Sequence, residues 1–309
     1  MVIDVFTESR YEGNPLAIVL LPPATELAPS QWQLQHIAAE FNLSETIFLE
    51  YATPEDIEEG VRRARIFTTL REILFAGHPT IGAATYLLVH KPAQHAPQAL
   101  VPGAGPIAIA PISSKPGYVS ANIPHTYHLH SGRCSAPKLL ALHSTLSSLI
   151  AAEQTFPIVS IVRGMTFVLV ELQTLQALAA ASLGNASANI LANSGILDKD
   201  WEYEAAIAVY FYVRSAEVEE DEVEVIRTRM LVRGLEDPAT GSAASALTGY
   251  IALKEAGKRG VKRTWKVVQG VEMGRRSEIG VKVAVKLDTV DTIELSGTAV
   301  VVSEGKIQL

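Results

Sequence analysis

The chain has 309 residues, 48% hydrophobic and 19% charged, a globular composition long enough for one large domain or two and rich enough in apolar side chains for a core without disulfides. Lys and Arg total 26 against 33 Asp and Glu, a net charge of −7 with no basic run, which argues against the phosphate-neutralising surface of a nucleic-acid-binding protein. The single cysteine, Cys134, excludes an internal disulfide, a CxxC redox pair, a cysteine-rich zinc site and a racemase that works with two opposed thiols.

The elements follow in chain order. Val2–Thr7 reads as a strand, with Asp4 and Glu8 standing where a secretory leader would need basic and apolar residues. Gly13-Asn14-Pro15 reads as a turn before a strand over Leu16–Leu21, which Pro22-Pro23 ends. Ser30 is the expected N-cap of a helix running to Phe41, with Leu34, Ile37, Ala38 and Phe41 at helical spacing. Asn42-Leu43-Ser44 breaks it, and Thr46–Glu50 and Arg65–Thr68 are strand-like. Phe75 to Pro79 reads as a turn and Thr80–His90 as a helix of small and apolar residues. Short strands and turns are expected over 91–118, and a domain boundary near Ile123-Pro124.

Beyond it, Ile158–Leu172 reads as two strands around Arg163-Gly164. The longest uncharged stretch, Leu172–Leu197, holds too many Gln, Asn, Ser and Gly residues for a membrane span. The acidic run Glu217–Glu222 reads as a solvated loop or strand edge. Lys282–Lys286, Thr292–Leu295 and Ala299–Ser303 alternate like strands. These features point to a reduced, cytoplasmic location with no membrane contact.

One internal match stands out. Pro79-x-x-Gly82-x-Ala84-x-x-x-Leu88 corresponds to Pro238-x-x-Gly241-x-Ala243-x-x-x-Leu247 at a constant offset of 159 residues, each copy following an Arg-apolar-apolar strand. It predicts two similar lobes, with His78 and Asp237 in equivalent positions.

The candidate chemistry sits at these points. A helix start after Gly77-His78-Pro79, and another after Asp237-Pro238 with Gly241-Ser242, offers free N–H groups suited to a carboxylate. The same residues also suit plain helix caps, and both readings stand on the sequence alone. Glu45 opens a strand whose alternation sets it on the face of Ile47 and Leu49, a setting that suits a proton-carrying carboxyl, while on the strand alone an ordinary solvated strand-end residue is the commoner case. His125-x-x-His128-x-His130 has metal-ligand character but no nearby carboxylate, so no metal site is expected. No dinucleotide fingerprint, nucleophile elbow or P-loop occurs.

Asp4-Val5-Phe6-Thr7, Gly13-Asn14-Pro15-Leu16-Ala17, Asn42-Leu43-Ser44-Glu45-Thr46, Phe75-Ala76-Gly77-His78-Pro79-Thr80-x-Gly82 and Glu236-Asp237-Pro238-Ala239-Thr240-Gly241-Ser242-Ala243 resemble the PhzF family of phenazine-biosynthesis isomerase-like proteins. Gln269-Gly270-x-x-Met273-Gly274-Arg275 extends the likeness towards the C-terminus, while Thr69 and Leu74 stand where the family usually has proline.

The resemblance implies an α+β, diaminopimelate epimerase-like fold of two pseudo-symmetric lobes, each a curved, barrel-like sheet around a central helix. The lobes would comprise 1–124 with 300–309, carrying Glu45 and His78, and 125–299, carrying Asp237. It implies a cofactor-independent isomerase, commonly a homodimer, that shifts a proton on a small carboxylate-bearing substrate between the lobes. Glu45 would act as general base and acid and His78 and Asp237 as its catalytic partners, with Ser44, Gly77, Gly241 and Ser242 contacting substrate. The alternatives are a two-base epimerase or racemase using His78 and Asp237, and a non-catalytic small-acid-binding or interaction protein of the same fold.

Overall fold

The strands near the N-terminus set the plan of everything that follows. In the computed structural model, β1 (Val2–Val5) pairs antiparallel with β2 (Asn14–Leu20), which pairs parallel with β3 (Thr46–Leu49). The antiparallel neighbour of β3 is β4 (Val61–Phe67), which pairs antiparallel with β5 (Glu72–Ile73) and parallel with β6 (Ala99–Val101). Two further antiparallel steps lead to β7 (Ile107–Pro111) and β8 (Val119–Asn122). The structure describes residues 1–23, 28–92, 94–182, 195–201, 207–218, 223–232, 234–255 and 262–308. They form two units, Met1–Pro124 with Glu294–Leu309, and His125–Ile293.

Local signals in the first unit mostly act as expected. Helix α1 (Gln31–Phe41) starts at a capping box in which the Ser30 hydroxyl accepts from the Gln33 N–H at 3.3 Å and the Gln33 carboxamide accepts from the Ser30 N–H at 2.8 Å. Asn42 ends it in the left-handed region, φ 50°. Asn14-Pro15, expected as a turn, lies inside β2. Pro15 is tolerated there because β3 joins β2 only from Ala17 onward, so the strand is an edge at that point. Helix α2 (Pro54–Glu59) was not foreseen. It carries a Thr53–Asp56 capping box, Pro54 in its first turn and Gly60 (φ 67°) beyond its end.

Helix α3 (Gly77–Thr85) is the centre of this unit. All nine residues are buried, the pattern of a helix enclosed on every side. It starts at Gly77 instead of Thr80, so Gly77-His78-Pro79 is a first helical turn and not a loop; Pro is harmless there because its missing N–H is one that no helix bond uses. Small residues let the sheet close on it: a Cβ on Gly82 would lie 2.5 Å from Leu16 Cδ2 and 2.9 Å from Val5 Cγ2.

The second unit repeats the plan. Strand β9 (His128–Ser135) leads to α4 (Ala136–Leu142) and pairs with β10 (Thr155–Val162). β10 then pairs antiparallel with β11 (Met165–Glu171), and α5 (Leu175–Ala180) follows. β11 runs parallel to β12 (Ile207–Val218), which is antiparallel to β13 (Glu224–Val232). β13 pairs antiparallel with β14 (Leu235–Asp237) and, beyond α6 (Gly241–Glu255), parallel with β15 (Lys262–Gln269); β16 (Ser277–Lys286) is antiparallel to β15. The order antiparallel, parallel, antiparallel, antiparallel, parallel, antiparallel from β10 to β16 is the order from β1 to β7. Helix α6 is again central, with ten of its residues buried and most of them small.

The chain re-enters the first unit through β17 (Thr289–Gly297), whose residues from Glu294 pair with β8, and β18 (Ala299–Ser303), which pairs with β1. The return therefore begins six residues before the expected position 300, because Glu294–Gly297 are already hydrogen-bonded to β8. Of the remaining expectations, the acidic run beyond Val218 and residues 183–194 of Leu172–Leu197 lie outside the described residues. Among the described residues no helix is long and apolar enough to cross a membrane.

The repeat is real but its register is not 159. Arg65 pairs bidentately with Glu72, seven residues on, and Arg229 pairs the same way with Glu236. From Arg65 to Arg229, from Glu72 to Glu236, and from Gly77 to Gly241, where the central helices start, the offset is 164. The structural counterpart of His78 is thus Ser242. Asp237 lies on the strand before the helix, and the Pro-Gly match that paired it with His78 slides five residues off the hydrogen-bonded frame.

Candidate active site

Glu45 stands immediately before β3, after the exposed Ser44. β3 runs between β2 and β4 with all four residues buried, so the apolar surroundings come from both faces and not from simple alternation. Helix α3 brings His78 to the carboxylate: His78 Nδ1 lies 3.6 Å from Glu45 Oε2, with the imidazole 6% and the carboxyl 20% exposed. Burial pulls the His78 pKa down to about 3, so the ring is neutral across the ordinary pH range.

Two buried polar atoms here have no partner among the described residues: His78 Nε2 and Thr46 Oγ1, the latter next to Glu45 in the chain. Such atoms cost stability unless something else satisfies them. Gly77 opens α3, and Ala76 before it offers no side-chain cap to the first-turn N–H groups. A carboxyl, a neutral imidazole with a spare nitrogen and an uncapped helix start together suit proton transfer on a ligand that accepts hydrogen bonds.

Asp237 belongs to a separate, dense network in the second unit. Its Oδ2 accepts from the Thr240 hydroxyl, and its backbone carbonyl accepts from Gln269 Nε2 at 2.7 Å. Gln269 Nε2 also reaches Thr240 Oγ1 at 3.0 Å, while its Oε1 accepts from the Tyr210 hydroxyl at 2.9 Å and the Thr240 N–H at 3.3 Å. Gln269 and Tyr210 are fully buried, and Tyr210 also lies 3.0 Å from Thr228 Oγ1. Next to Gln269, a Cβ on Gly270 (φ 75°) would stand 2.4 Å from the Arg275 carbonyl and 2.7 Å from that of Pro238, so only glycine fits. Gln269 was visible in the sequence only as part of a motif; its role in holding the Asp237 turn comes from pairing 32 residues away. Gly241 and Ser242 open α6, the glycine buried and the serine half-buried.

The histidine motif finds a carboxylate that local sequence did not show. Asp198 accepts from His128 Nε2 at 2.7 Å and from the Ser131 hydroxyl at 2.6 Å, and its N–H donates to His130 Nδ1 at 3.1 Å. His130 Nε2 is in turn 2.9 Å from Ser160 Oγ. The three groups offer ligand atoms within 4.8 Å of one another, yet both His130 nitrogens are already used in holding Asp198 and Ser160. His125 lies apart, 3.4 Å from the Val290 carbonyl. Cys134 is fully buried in the second unit's apolar core, and burial pushes its thiol up to about 11, which leaves it an unreactive packing residue.

Known proteins resemble the chain over nearly its whole length. Residues 3–305 match the family model of phenazine biosynthesis-like proteins, PhzC-PhzF. An uncharacterised isomerase of Mesorhizobium japonicum is 32% identical over 99% of this chain and 97% of its own length. The trans-2,3-dihydro-3-hydroxyanthranilate isomerase of Pseudomonas chlororaphis is 28% identical over 100% and 99%. A crystal structure of a PhzF-family protein from Bacillus anthracis superposes with a TM-score of 0.72 at 21% identity, covering 100% of this chain and 98% of that one, and shares its fold. With a repeated α+β plan, a matching model over nearly its full length and relatives named as isomerases, the chain belongs to the phenazine biosynthesis-like PhzC-PhzF family and is an enzyme of isomerase type.

Proposed function

We propose that the enzyme moves a proton between two carbons of a small, unsaturated, carboxylate-bearing substrate, with Glu45 as the group that takes and returns it. The observation that carries this reading is the Glu45–His78 contact at 3.6 Å beside an unpartnered His78 Nε2. Glu45 accepts the proton from one carbon as the substrate's electrons shift across the conjugated system, then returns it to another. Nothing is gained or lost overall, so the reaction needs no external electron acceptor and no cofactor. Neutral His78 supplies a hydrogen bond through Nε2 to substrate oxygen, and the uncapped start of α3 at Gly77 favours a carboxylate. Asp237, Gly241 and Ser242 are proposed as further substrate-contacting groups, tested by the same assay.

The test starts from trans-2,3-dihydro-3-hydroxyanthranilate, the compound named in the Pseudomonas relatives. Proton NMR in D2O follows its isomerisation and the carbon at which deuterium enters. Glu45→Gln is expected to lower the rate by about 10²- to 10⁴-fold with unchanged thermal stability. A variant as fast as the parent removes Glu45 from the mechanism. Deuterium entry with inversion at one stereocentre and no double-bond shift would instead establish epimerisation.

A further inference from the structure

A cavity of about 350 Å³ opens in the first unit beside α2, the start of β4 and a single π-helical turn, Tyr86–His90, that continues α3. Its lining includes Tyr51, Ile57, Val61, Leu87 and Pro97 around one arginine, Arg62, together with the exposed Gln94 and His95. The neighbouring arginines of β4 are neutralised: Arg63 by Asp56 at 2.8 Å and Arg65 by Glu72 at 2.7 Å. Arg62 points to the other face of the strand by period-two alternation, and its Nε is buried with no hydrogen-bond partner. Asp56 also borders the cavity, but its Oδ1 is taken by Arg63 and its Oδ2 by the Thr53 N–H. Burial lowers the Arg62 pKa against the pull of Tyr86, Asp56 and Tyr51, the mark of a charge short of a counter-ion.

An arginine keeps its proton in proteins, so a half-buried guanidinium lacking a carboxylate is stabilised by an anion from outside. The rest of the wall specifies what that anion carries. Tyr51 and Ile57 leave 57% and 48% of their surface uncovered, and the buried Leu87 adds further apolar lining. The volume lies in the range of small-molecule sites, and π-helical turns recur at functional positions.

We propose that this cavity is a second ligand site of the enzyme, which takes a small carboxylate with a flat apolar body. The carboxylate pairs with the Arg62 guanidinium, and the body lies on Tyr51, Ile57 and Leu87. The site is distinct from Glu45 and His78: Leu87 is nine residues along the helix from His78, a rise of about 13 Å.

Benzoate is the probe, with benzyl alcohol and inorganic phosphate as comparators, titrated by calorimetry and thermal shift into the parent protein, Arg62→Met, Arg62→Lys and His78→Asn. The expected result is benzoate binding to the parent and to His78→Asn, at least tenfold weaker binding to Arg62→Met, and an intermediate value for Arg62→Lys, which keeps the charge and loses the fork. Benzyl alcohol and phosphate should each bind at least tenfold more weakly than benzoate, since each lacks one half of the recognised chemistry. Unliganded Arg62→Met should be no less stable than the parent, because it removes an unpaired buried charge. Benzoate affinity unchanged in Arg62→Met, or lost in His78→Asn alone, overturns the proposal. So does a lower melting temperature of unliganded Arg62→Met, which would show that the guanidinium already has its partner within the fold.

Discussion

His78 and Ser242 hold the same place in two copies of one plan: each is the second residue of a central helix, after Gly77 in one unit and Gly241 in the other. The copies have diverged in chemistry where they agree in geometry, an imidazole against a hydroxyl. The imidazole has a consequence for stability. Its folded pKa of about 3 lies below the ordinary value near 6.5, so between those values the unfolded chain binds a proton that the folded chain refuses. Stability is therefore expected to fall as pH drops from 6.5 towards 3. Urea titrations across that window should show a shallower loss for His78→Asn than for the parent, and equal slopes would contradict the buried neutral ring.

The paired arginines of the two units should differ in worth. Arg65–Glu72 is 30% and 34% exposed, whereas Arg229–Glu236 is 8% and 10% exposed, and Arg229 Nη1 also closes the end of α5 by donating to the carbonyls of Leu178, Ala179 and Ala181. Glu236→Gln leaves a buried cation without its carboxylate and is expected to cost about 3–5 kcal/mol. Glu72→Gln should cost about 0–1 kcal/mol. Chemical denaturation of the two single variants measures the contrast.

Gln269→Leu removes the amide that spans Asp237, Thr240 and Tyr210. Each buried group left unsatisfied is expected to cost roughly 1–3 kcal/mol. If the turn positions Asp237 for substrate, the variant also loses turnover on the isomerised substrate beyond what its unfolding explains. Turnover measured well below the melting transition separates the two effects.

Gly82→Ala tests how closely the first sheet wraps α3. Alanine gains about 1 kcal/mol of helix propensity, but its methyl meets Leu16, Val5 and Ile3 at 2.5, 2.9 and 3.1 Å. Overpacking of this kind costs about 1–3 kcal/mol, so a net loss of melting temperature is expected.

Local signals carried as far as local physics decides the outcome. Ser30 and Asn42 bound α1 where capping chemistry places them, and Glu45, His78 and Asp237 stand out by motif. The capping box, Pro54 and Gly60 of α2 are local signals of the same kind. The start of α3 was missed because a Gly-His-Pro sequence reads as a turn when its burial is unknown. The repeat offset failed for a related reason: small-residue Pro-Gly patterns match at several registers, and only the Arg65–Glu72 and Arg229–Glu236 pairs select 164. Asp198 and Gln269 lay out of reach because their partners are 67–70 and 29–59 residues distant.

β1 lies between β2 and β18, so its two neighbours come from opposite ends of the chain, while the second unit is the single uninterrupted stretch His125–Ile293. On the ribosome this imposes an order of assembly. The second unit acquires all its strands while β1 still shows an open edge, and at 5–20 residues per second Ala299 arrives on the order of 15–60 s after Val5. For that interval the N-terminal segment carries the hazard of an unpaired strand, a template for other chains, and its protection falls to whatever binds nascent polypeptide. A strand made late, β18, is thus the one that closes β1.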